Sequence, residues 1–228
     1  MPGLTPLFLI CLVRINNNFK QKVSGAVFLS KLSGGNPERY IPHGKKRLVD
    51  DWPSVNLSVR KDVFEELNGF DSKHWPGEDT KFCLDLLHHK KSKVLYDPKL
   101  IVYHHRREGL IRHLRQIGRY GLHRGYFAKK YPKTSFKLKY FIPSFFLVFI
   151  IVGGVASFYS GWALKSYIAG GALYLLALVK AAFDIYKHEK DILVVLSSLY
   201  YIFFTHLFYG LRFIQGFIFT KHLISKLR

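Results

Sequence analysis

The distribution of apolar positions divides the chain near Tyr140. Before it, polar and apolar residues alternate over short distances, with Pro and Gly between segments. After it come three long apolar runs, Tyr140–Tyr159, Trp162–Phe183 and Ile192–Leu211, with aromatic residues near their ends. A run of about 20 such residues matches a hydrocarbon core of roughly 30 Å, and aromatic residues collect at membrane interfaces. Because successive runs without polar faces are not typical of buried core helices, residues 137–228 are predicted to form a membrane domain with two to three transmembrane helices.

Basic residues indicate how these spans are oriented. Thr134–Lys139 and Lys187–Asp191 are basic, whereas the loop at Ser160 and Gly161 is not. The positive-inside rule therefore places the polar part in the cytoplasm, in a multi-pass protein of the cell (inner or plasma) membrane. A third full span puts the C-terminal tail outside, against the rule, unless the segment from Arg212 onward folds back along the interface. The sequence leaves both alternatives open.

Residues 1–136 have the mixed pattern of an α/β layer. Alternation in Ser54–Val59 predicts a strand, and the apolar segments before and after Asp97–Pro98 predict two more. The short apolar run Pro6–Val13 lacks the flanks of a signal peptide and is predicted to be a buried strand or helix fragment. Gly69 suits a left-handed helix cap. Helices are predicted over Arg60–Phe70, Gly77–Lys90 and Gly109–Ala128.

Composition adds a strong charge to this picture. The 228 residues include 35 Lys and Arg against 15 Asp and Glu, a formal charge of +20, although 49% of residues are hydrophobic. Such a charge implies an anionic partner, namely phosphates, an acidic lipid surface or nucleic acid. No zinc or helix-turn-helix pattern is present, so nucleic acid is disfavoured. Cys11 and Cys83 form neither a metal-type spacing nor a disulfide framework, and we expect them to be reduced.

Two groups of residues are candidates for chemistry. Glu78 and Asp79 begin a predicted helix, where the backbone N–H groups and the dipole favour negative charge. An ionised, outward-pointing Asp79 can accept a proton from a hydroxyl, although a simple helix cap is the alternative. Gln116, Arg119 and Tyr120 share one helix face and suit a diphosphate and a flat or sugar ring. The alternative for that face is an interfacial helix whose arginines meet lipid headgroups.

The order and spacing of several segments resemble the C-terminal half of membrane-anchored glycosyltransferase family 2 enzymes, over roughly Pro2 to Pro143. Those enzymes have a GT-A fold and often continue into membrane helices. The resemblance implies an α/β fold class, a partial GT-A-like domain in residues 1–136, followed by an α-helical transmembrane region. The segments are DDWPSVNLSVRKDVFEELNGFD, WPGEDTKFCLDLL, YDPKLIVYHHRR and HLRQIGRYGLHRGYFAKKYP.

The resemblance also implies roles for individual residues. The second acid of the family's Glu-Asp pair is the general base, which falls on Asp79, with Glu78 in support. The family's Gln-x-x-Arg-Trp motif falls on Gln116, Arg119 and Tyr120, with Tyr in place of Trp. The implied reaction is inverting transfer of a sugar from a nucleotide-sugar donor to a lipid-linked or polysaccharide acceptor of the cell envelope.

The resemblance further implies a divalent metal, Mg or Mn, in the complete enzyme. A His after a late strand is a metal ligand in some relatives, and His104 or His105 fits, with a buried structural His as the alternative for each. Asn56 is a weaker candidate for substrate contact, with a strand-end hydrogen bond as the alternative.

One departure from the family is the lack of an Asp-x-Asp motif, which binds nucleotide and metal in the N-terminal half. Asp50 and Asp51 do not replace it, because they lie beside the acceptor-side segment. We therefore expect a truncated enzyme, which is a fragment, a split gene product or the result of a mispredicted start, with an exposed sheet edge and apolar face. We expect little or no transfer activity from the chain alone, with a separate N-terminal half as its partner if the gene is split. A non-catalytic basic membrane scaffold or adaptor is the alternative, and it predicts that changes at Asp79 have no effect.

Overall fold

The computed structural model describes residues 6–13, 17–33, 37–42, 44–89 and 93–223. Within them, a small sheet and several short helices precede three long apolar helices. The arrangement shows no clear GT-A fold.

The sheet has three strands: β1 (Pro6–Val13), β2 (Arg47–Val49) and β3 (Lys93–Tyr103). Their order is β1-β3-β2, with β1 parallel and β2 antiparallel to β3. The N-terminal apolar run is therefore a strand, one of its two predicted forms. In the described part of the chain, no strand pairs with the outer edge of β1.

The prediction of two strands around Asp97–Pro98 is wrong, because β3 runs through this dipeptide. Its effect is a break in register: Leu9 pairs with Tyr96, but Cys11 pairs with Ile101. Proline lacks an N–H group for the ladder, so a bulged stretch is where a strand tolerates it. The Asp97 side chain accepts a hydrogen bond from the Lys99 backbone (3.0 Å) inside this bulge.

Two short helices cover the sheet, α2 (Lys61–Glu66) and α3 (Glu78–His88). In α3, Phe82, Cys83 and Leu86 face inward and are at most 2% exposed. Gly69 follows α2 with a φ of 65°, and a Cβ there would lie 2.9 Å from the Phe64 ring. The predicted left-handed cap is therefore confirmed.

The predicted strand over Ser54–Val59 is wrong. Ser54–Asn56 forms a 3-10 turn directly after Pro53. The alternation there reflects a turn that directs Leu57 and Val59 toward the buried cluster around Trp52. A short irregular segment can produce the same period-two pattern as a strand.

The helix predicted near Gly109–Ala128 is present as α4 (Leu110–Lys130), followed by a single turn, α5 (Pro132–Ser135). The first helix in chain order, α1 (Phe19–Ala26), lies near the N-terminal end of the described residues. Both α1 and α4 pack on the last long helix, so they belong to its surroundings as much as to the sheet.

Three helical stretches are long and apolar enough to cross a membrane. The first, Leu138–Ala156, comprises α6 (Leu138–Val148), a π-turn and α7 (Gly154–Ala156). The others are α8 (Gly161–Glu189) and α9 (Ile192–Ile214), which a π-turn extends to Phe219. Because the helix continues through Arg212 to Phe219, the fold-back proposed at Arg212 does not occur over these residues.

Helix α9 is the most enclosed of the three, because 33% of its most apolar stretch is buried against 11% in each of the others. On one side it meets α4 through glycines. A Cβ at Gly125 would lie 2.1 Å from the Phe213 carbonyl oxygen, and one at Gly216 would lie 2.0 Å from that of Leu122. Only glycine permits two helix backbones to approach this closely.

The N-terminal half of α9 shares a hydrophobic core with α1. This core includes Val23, Val194 and Ile202. A buried His113 on α4 joins the three helices, because its ring nitrogens lie 2.9 Å from the hydroxyls of Ser24 and Thr205. Burial lowers the pKa of His113 to about 3, so it is neutral at pH 7. The polar part of the chain and α9 are therefore packed as one body.

Candidate functional site

Two carboxylates lie together beside the start of α3. Asp79 is in the first turn of α3, and Asp51 is on the segment that precedes Trp52. Thr80 links them, since its hydroxyl donates to Asp51 (3.1 Å) and its backbone N–H donates to Asp79 (2.7 Å). The backbone N–H of Ser54 also donates to Asp79 (3.3 Å).

Asp51 is held by two arginines. Arg124 on α4 forms a close ion pair with it, and Arg39 lies 3.5 Å away. Burial alone would raise the pKa of Asp51, but the charges of Arg124 and Arg39 and the hydrogen bonds to the carboxylate outweigh burial, and the pKa is held well below its usual range. Asp51 is therefore an anion throughout the physiological pH range.

Asp79 behaves in the opposite way. It is half-buried, and burial followed by the negative charge of Asp51 raises its pKa. The carboxylate is therefore not fully outward-pointing, and the helix start does not lower its pKa as the sequence pattern indicated, so the role of Asp79 as a base stays a prediction. The favourable field of a helix N-terminus is a modest effect, which desolvation and a second carboxylate here exceed.

Glu78 and His123 form the wall next to this pair. One oxygen of Glu78, Oε2, is buried without a hydrogen-bond partner, and burial raises the pKa of Glu78. His123 on α4 packs so closely that a Cβ at Gly77 would lie 2.7 Å from its ring. Burial, then the charge of Arg124, lowers the pKa of His123 to about 3, and its Nε2 also lacks a partner.

The predicted Gln116, Arg119 and Tyr120 face lies next to these acids. The Arg119 guanidinium stacks on Trp75, 4.8 Å from the ring centre, which places α4 against the turn before Glu78. Gln116 donates to the Tyr120 hydroxyl (2.8 Å). Burial and then Tyr40 raise the pKa of Tyr120 to about 12, and the charge of Asp79 contributes, so this phenol lies near the acid pair.

Asn56 is also at the site, at the end of the turn that Asp79 caps. It is 4% exposed, and neither Oδ1 nor Nδ2 of its amide has a hydrogen-bond partner. The strand-end hydrogen bond offered as the alternative is therefore not made. A buried amide with both groups unpaired is costly, and the role of Asn56 in substrate contact stays a prediction.

The two histidines lie apart from the acids, after the end of β3. His104 is exposed, and partial burial and then the charge of Arg106 lower its pKa. His105 contacts the side-chain oxygen of Asn17 through Nδ1 (3.2 Å). In the described ranges no three His, Cys, Asp or Glu residues are grouped so as to hold a metal ion. These residues therefore do not fit a metal site by themselves, and the metal-ligand role stays a prediction.

Several residues of the site escaped the sequence analysis. Asp51 was considered only as a substitute for the Asp-x-Asp motif and was set aside because it lies beside the acceptor-side segment, and Arg124 was not separated from the other basic residues of its helix. The available signal was weak: Asp51 precedes a tryptophan, Trp52, that is 1% exposed, which indicates that the segment is buried. The ion pair itself joins positions 73 residues apart, and local pattern carries no such information.

A groove of about 680 Å³ runs between α4 and the C-terminal half of α9. Its apolar lining includes Phe208, and three arginines, Arg115, Arg119 and Arg212, also line it. Trp75 and Pro76, which precede α3, also line it. The groove therefore combines an apolar surface, three arginines with no acid among the lining residues that the structure describes, and contact with a potential membrane helix.

Comparison with protein-family models, curated proteins and solved structures found no match for this chain.

Proposed function

We propose that this chain is the acceptor side of a membrane-bound glycosyltransferase, which transfers a sugar from a nucleotide-sugar to a lipid-linked or polysaccharide acceptor. The observation that supports the proposal is the pair Asp51 and Asp79, whose pKa values are displaced in opposite directions. Two neighbouring carboxylates with separated pKa values are the arrangement that enzymes use for acid–base work.

In this proposal Asp79 is the general base. The acceptor hydroxyl attacks the anomeric carbon of the donor sugar, and its proton passes to Asp79 as the new C–O bond forms. The bond between the anomeric carbon and the diphosphate oxygen breaks, and its electron pair leaves with the diphosphate. A base with a raised pKa takes the proton more readily than an ordinary aspartate. Asp51 stays ionised and keeps the pKa of Asp79 high.

The groove between α4 and α9 supports an acceptor that arrives from the bilayer. Arg115, Arg119 and Arg212 suit a phosphate group, and the apolar surface at Phe208 suits a lipid chain. Because Arg119 also stacks on Trp75, the groove leads to the turn before Glu78. We place the site at the cytoplasmic face of the cell membrane, where the basic flanks of the spans are expected.

The donor needs a nucleotide-binding unit, and in this proposal a separate N-terminal half supplies it. The resemblance to family 2 enzymes also implies a divalent cation on the donor diphosphate. The described residues contain no group of three His, Cys, Asp or Glu side chains that would hold this cation by themselves.

The test compares Asp79→Asn with Asp85→Asn in membranes. Asp85 lies on the same helix, α3, but pairs with Lys81 away from the site, so it controls for the loss of one carboxylate. Each variant is produced with the product of the coding sequence directly upstream, and transfer from labelled nucleotide-sugars to lipid extract is measured. We expect transfer in the wild type and in Asp85→Asn, and a loss of about 100-fold or more in Asp79→Asn, typical of a general base.

Two results would favour the alternative, a non-catalytic membrane scaffold. If Asp79→Asn transfers as well as the wild type, or if no donor supports transfer with the upstream product present, the enzyme proposal is wrong. Robust transfer by the chain alone that Asp79→Asn abolishes keeps the base but refutes the need for a second half.

A further inference from the structure

Among the described residues, no acid pairs with the buried Arg106, which lies outside the acid pair. Arg106 follows β3 by three residues and is 7% exposed. Its Nε and Nη2 atoms are buried without hydrogen-bond partners. In the part of the chain that the structure describes, Asp51 pairs with Arg39 and Arg124, and no acid forms an ion pair with Arg106.

Aromatic rings hold Arg106 in place but do not replace the missing anion. Its guanidinium carbon lies 4.5 Å from the ring centre of Phe28 and 5.2 Å from that of Tyr40. These two rings are themselves stacked, with centres 5.0 Å apart. Stacking leaves the N–H groups in the plane of the guanidinium unsatisfied, and a desolvated charge without a partner is strongly unfavourable. Natural proteins retain such a group when something else supplies the partner.

A second unpaired donor lies in the adjoining loop. Asn17 is 7% exposed, its Oδ1 is engaged by His105, and its Nδ2 has no partner. Asn17 follows β1 and Arg106 follows β3, and these strands are parallel neighbours whose final residues, Val13 and Tyr103, are paired. Both donors therefore lie beyond the carboxyl edge of the sheet, the place where open α/β sheets bind ligands.

The surroundings of Arg106 connect it to the candidate site. Its charge acts on the pKa of Tyr120, as does the charge of Asp79, so Arg106 and Asp79 both lie close to this phenol. The exposed residues that follow Arg106 carry one positive charge, on Arg107, and one negative charge, on Glu108. The buried donors, and not the surface charge, therefore favour an anion here.

We propose that Arg106 and Asn17 form a subsite for a phosphate group. A phosphate offers several oxygen acceptors to the three unpaired donors, and the planar fork of arginine binds it through two parallel hydrogen bonds. Nucleotide diphosphates and lipid phosphates share this chemistry. The assignment of the phosphate to a sugar donor rests on the proposed function, whereas the binding of a phosphate by Arg106 does not.

The experiment measures pyrophosphate binding to the full chain in lipid nanodiscs by calorimetry and thermal shift. Arg106→Met keeps a long apolar side chain against the two rings and removes the charge. Arg107→Met makes the same change at the exposed neighbour and is the matched control. We expect Arg106→Met to weaken pyrophosphate binding at least about tenfold, or roughly 1.4 kcal/mol, and Arg107→Met to change it by less than about threefold.

Stability without ligand separates binding from packing. Because Arg106→Met removes an unpaired buried charge, we expect its melting temperature without ligand to equal or exceed that of the wild type. If Arg106 serves only to pack the rings, the variant melts lower and binds pyrophosphate unchanged. Should Arg106→Met fail to fold, Arg106→Lys keeps a charge, and weakened binding in it supports the proposal. Failure of both variants to fold assigns Arg106 to packing and overturns it.

Two further arms identify the source of the phosphate. A nucleoside diphosphate and vesicles containing phosphatidate are each titrated against the wild type and Arg106→Met. Loss of nucleotide binding in the variant assigns the subsite to a donor, and loss of phosphatidate binding assigns it to a lipid. A wild type that binds neither of these nor pyrophosphate refutes the subsite, as does equal weakening in Arg106→Met and Arg107→Met. Pyrophosphate binding in a protein that shows no sugar transfer leaves the subsite intact and refutes only the donor assignment.

Discussion

Replacement of Arg124 by Met tests the buried ion pair that ties α4 to the acid cluster. The side chains of Asp51 and Arg124 are 16% and 9% exposed, so solvent screens their interaction little. Removal of one partner from a buried pair costs about 3–5 kcal/mol, because the other charge remains desolvated. Arg39 stays 3.5 Å from Asp51 and offers partial compensation, so we expect the lower end, about 3 kcal/mol.

A loss of that size is readily measured. For a chain of this length, about 1 kcal/mol shifts the melting temperature by roughly 2–4 °C, so Arg124→Met is expected to melt about 6–12 °C below the wild type. The assay is thermal unfolding of the full chain in nanodiscs. In Arg124→Met combined with Asp51→Asn, the loss is expected to be smaller than the sum of the two single losses, because neither charge is then left alone.

The pH dependence provides an independent check. The pKa of Asp51 is lower in the folded than in the unfolded state, so its stabilisation is present above the unfolded value of about 4 and is lost as pH falls through the folded pKa. The difference between the wild type and Arg124→Met should therefore shrink in acid. Asp62→Asn, which breaks the exposed pair with Arg60, is the control and should not alter stability. If Arg124→Met melts like this control, the ion pair does not hold the site together.

Three other predictions concern stability. Asp79→Asn is expected to melt a few degrees above the wild type at pH 7. The folded-state pKa of Asp79 is raised, so its ionisation destabilises the fold as pH rises through that pKa, and the gain from Asn should disappear in acid. Gly125→Ala is expected to cost about 1–3 kcal/mol in thermal unfolding, since its Cβ would meet the Phe213 carbonyl oxygen at 2.1 Å, whereas Gly171→Ala, with nothing within 4 Å, should cost nothing. His113→Leu is expected to cost about 1–3 kcal/mol, because two buried hydroxyls lose their partner; denaturation that is unchanged in this variant would show that the hydrogen bonds are not needed.

The long helices of the fold were predictable from the sequence. Three apolar runs gave three helices, and the helix over Gly109–Ala128 differs by only two residues at its end. Hydrophobic length and helical period are properties of neighbouring residues, so they survive without tertiary information. The sequence wrongly predicted a strand at Ser54–Val59, because a turn after a proline produces an alternating pattern as long as that of a real strand. It wrongly predicted a gap between two strands at Asp97–Pro98, because a bulge inside a strand resembles such a gap.

The proximity of Asp79 to the face with Arg119 was predictable from the sequence, but the contribution of Asp51 and Arg124 and the electrostatics of the acid pair were not. Asp79 and the face with Arg119 do approach each other, as the ordered segments implied. The raised pKa of Asp79 depends on burial and on Asp51, which is 28 positions away in the sequence. From the sequence, Asp51 was considered only as a substitute for the Asp-x-Asp motif. Desolvation and the field of a second carboxylate arise from packing, and no local pattern of residue types reports them.

The glycine contacts between α4 and α9 have a practical consequence for anyone who prepares this protein. A recombinant product cut after residue 136 removes α9 and uncovers the faces of α1 and α4 that now enclose His113. Such a product would lose the groove, expose apolar side chains and aggregate, although its sequence ends where the membrane runs begin. Expression trials should therefore retain the whole chain in a bilayer mimic from the first step.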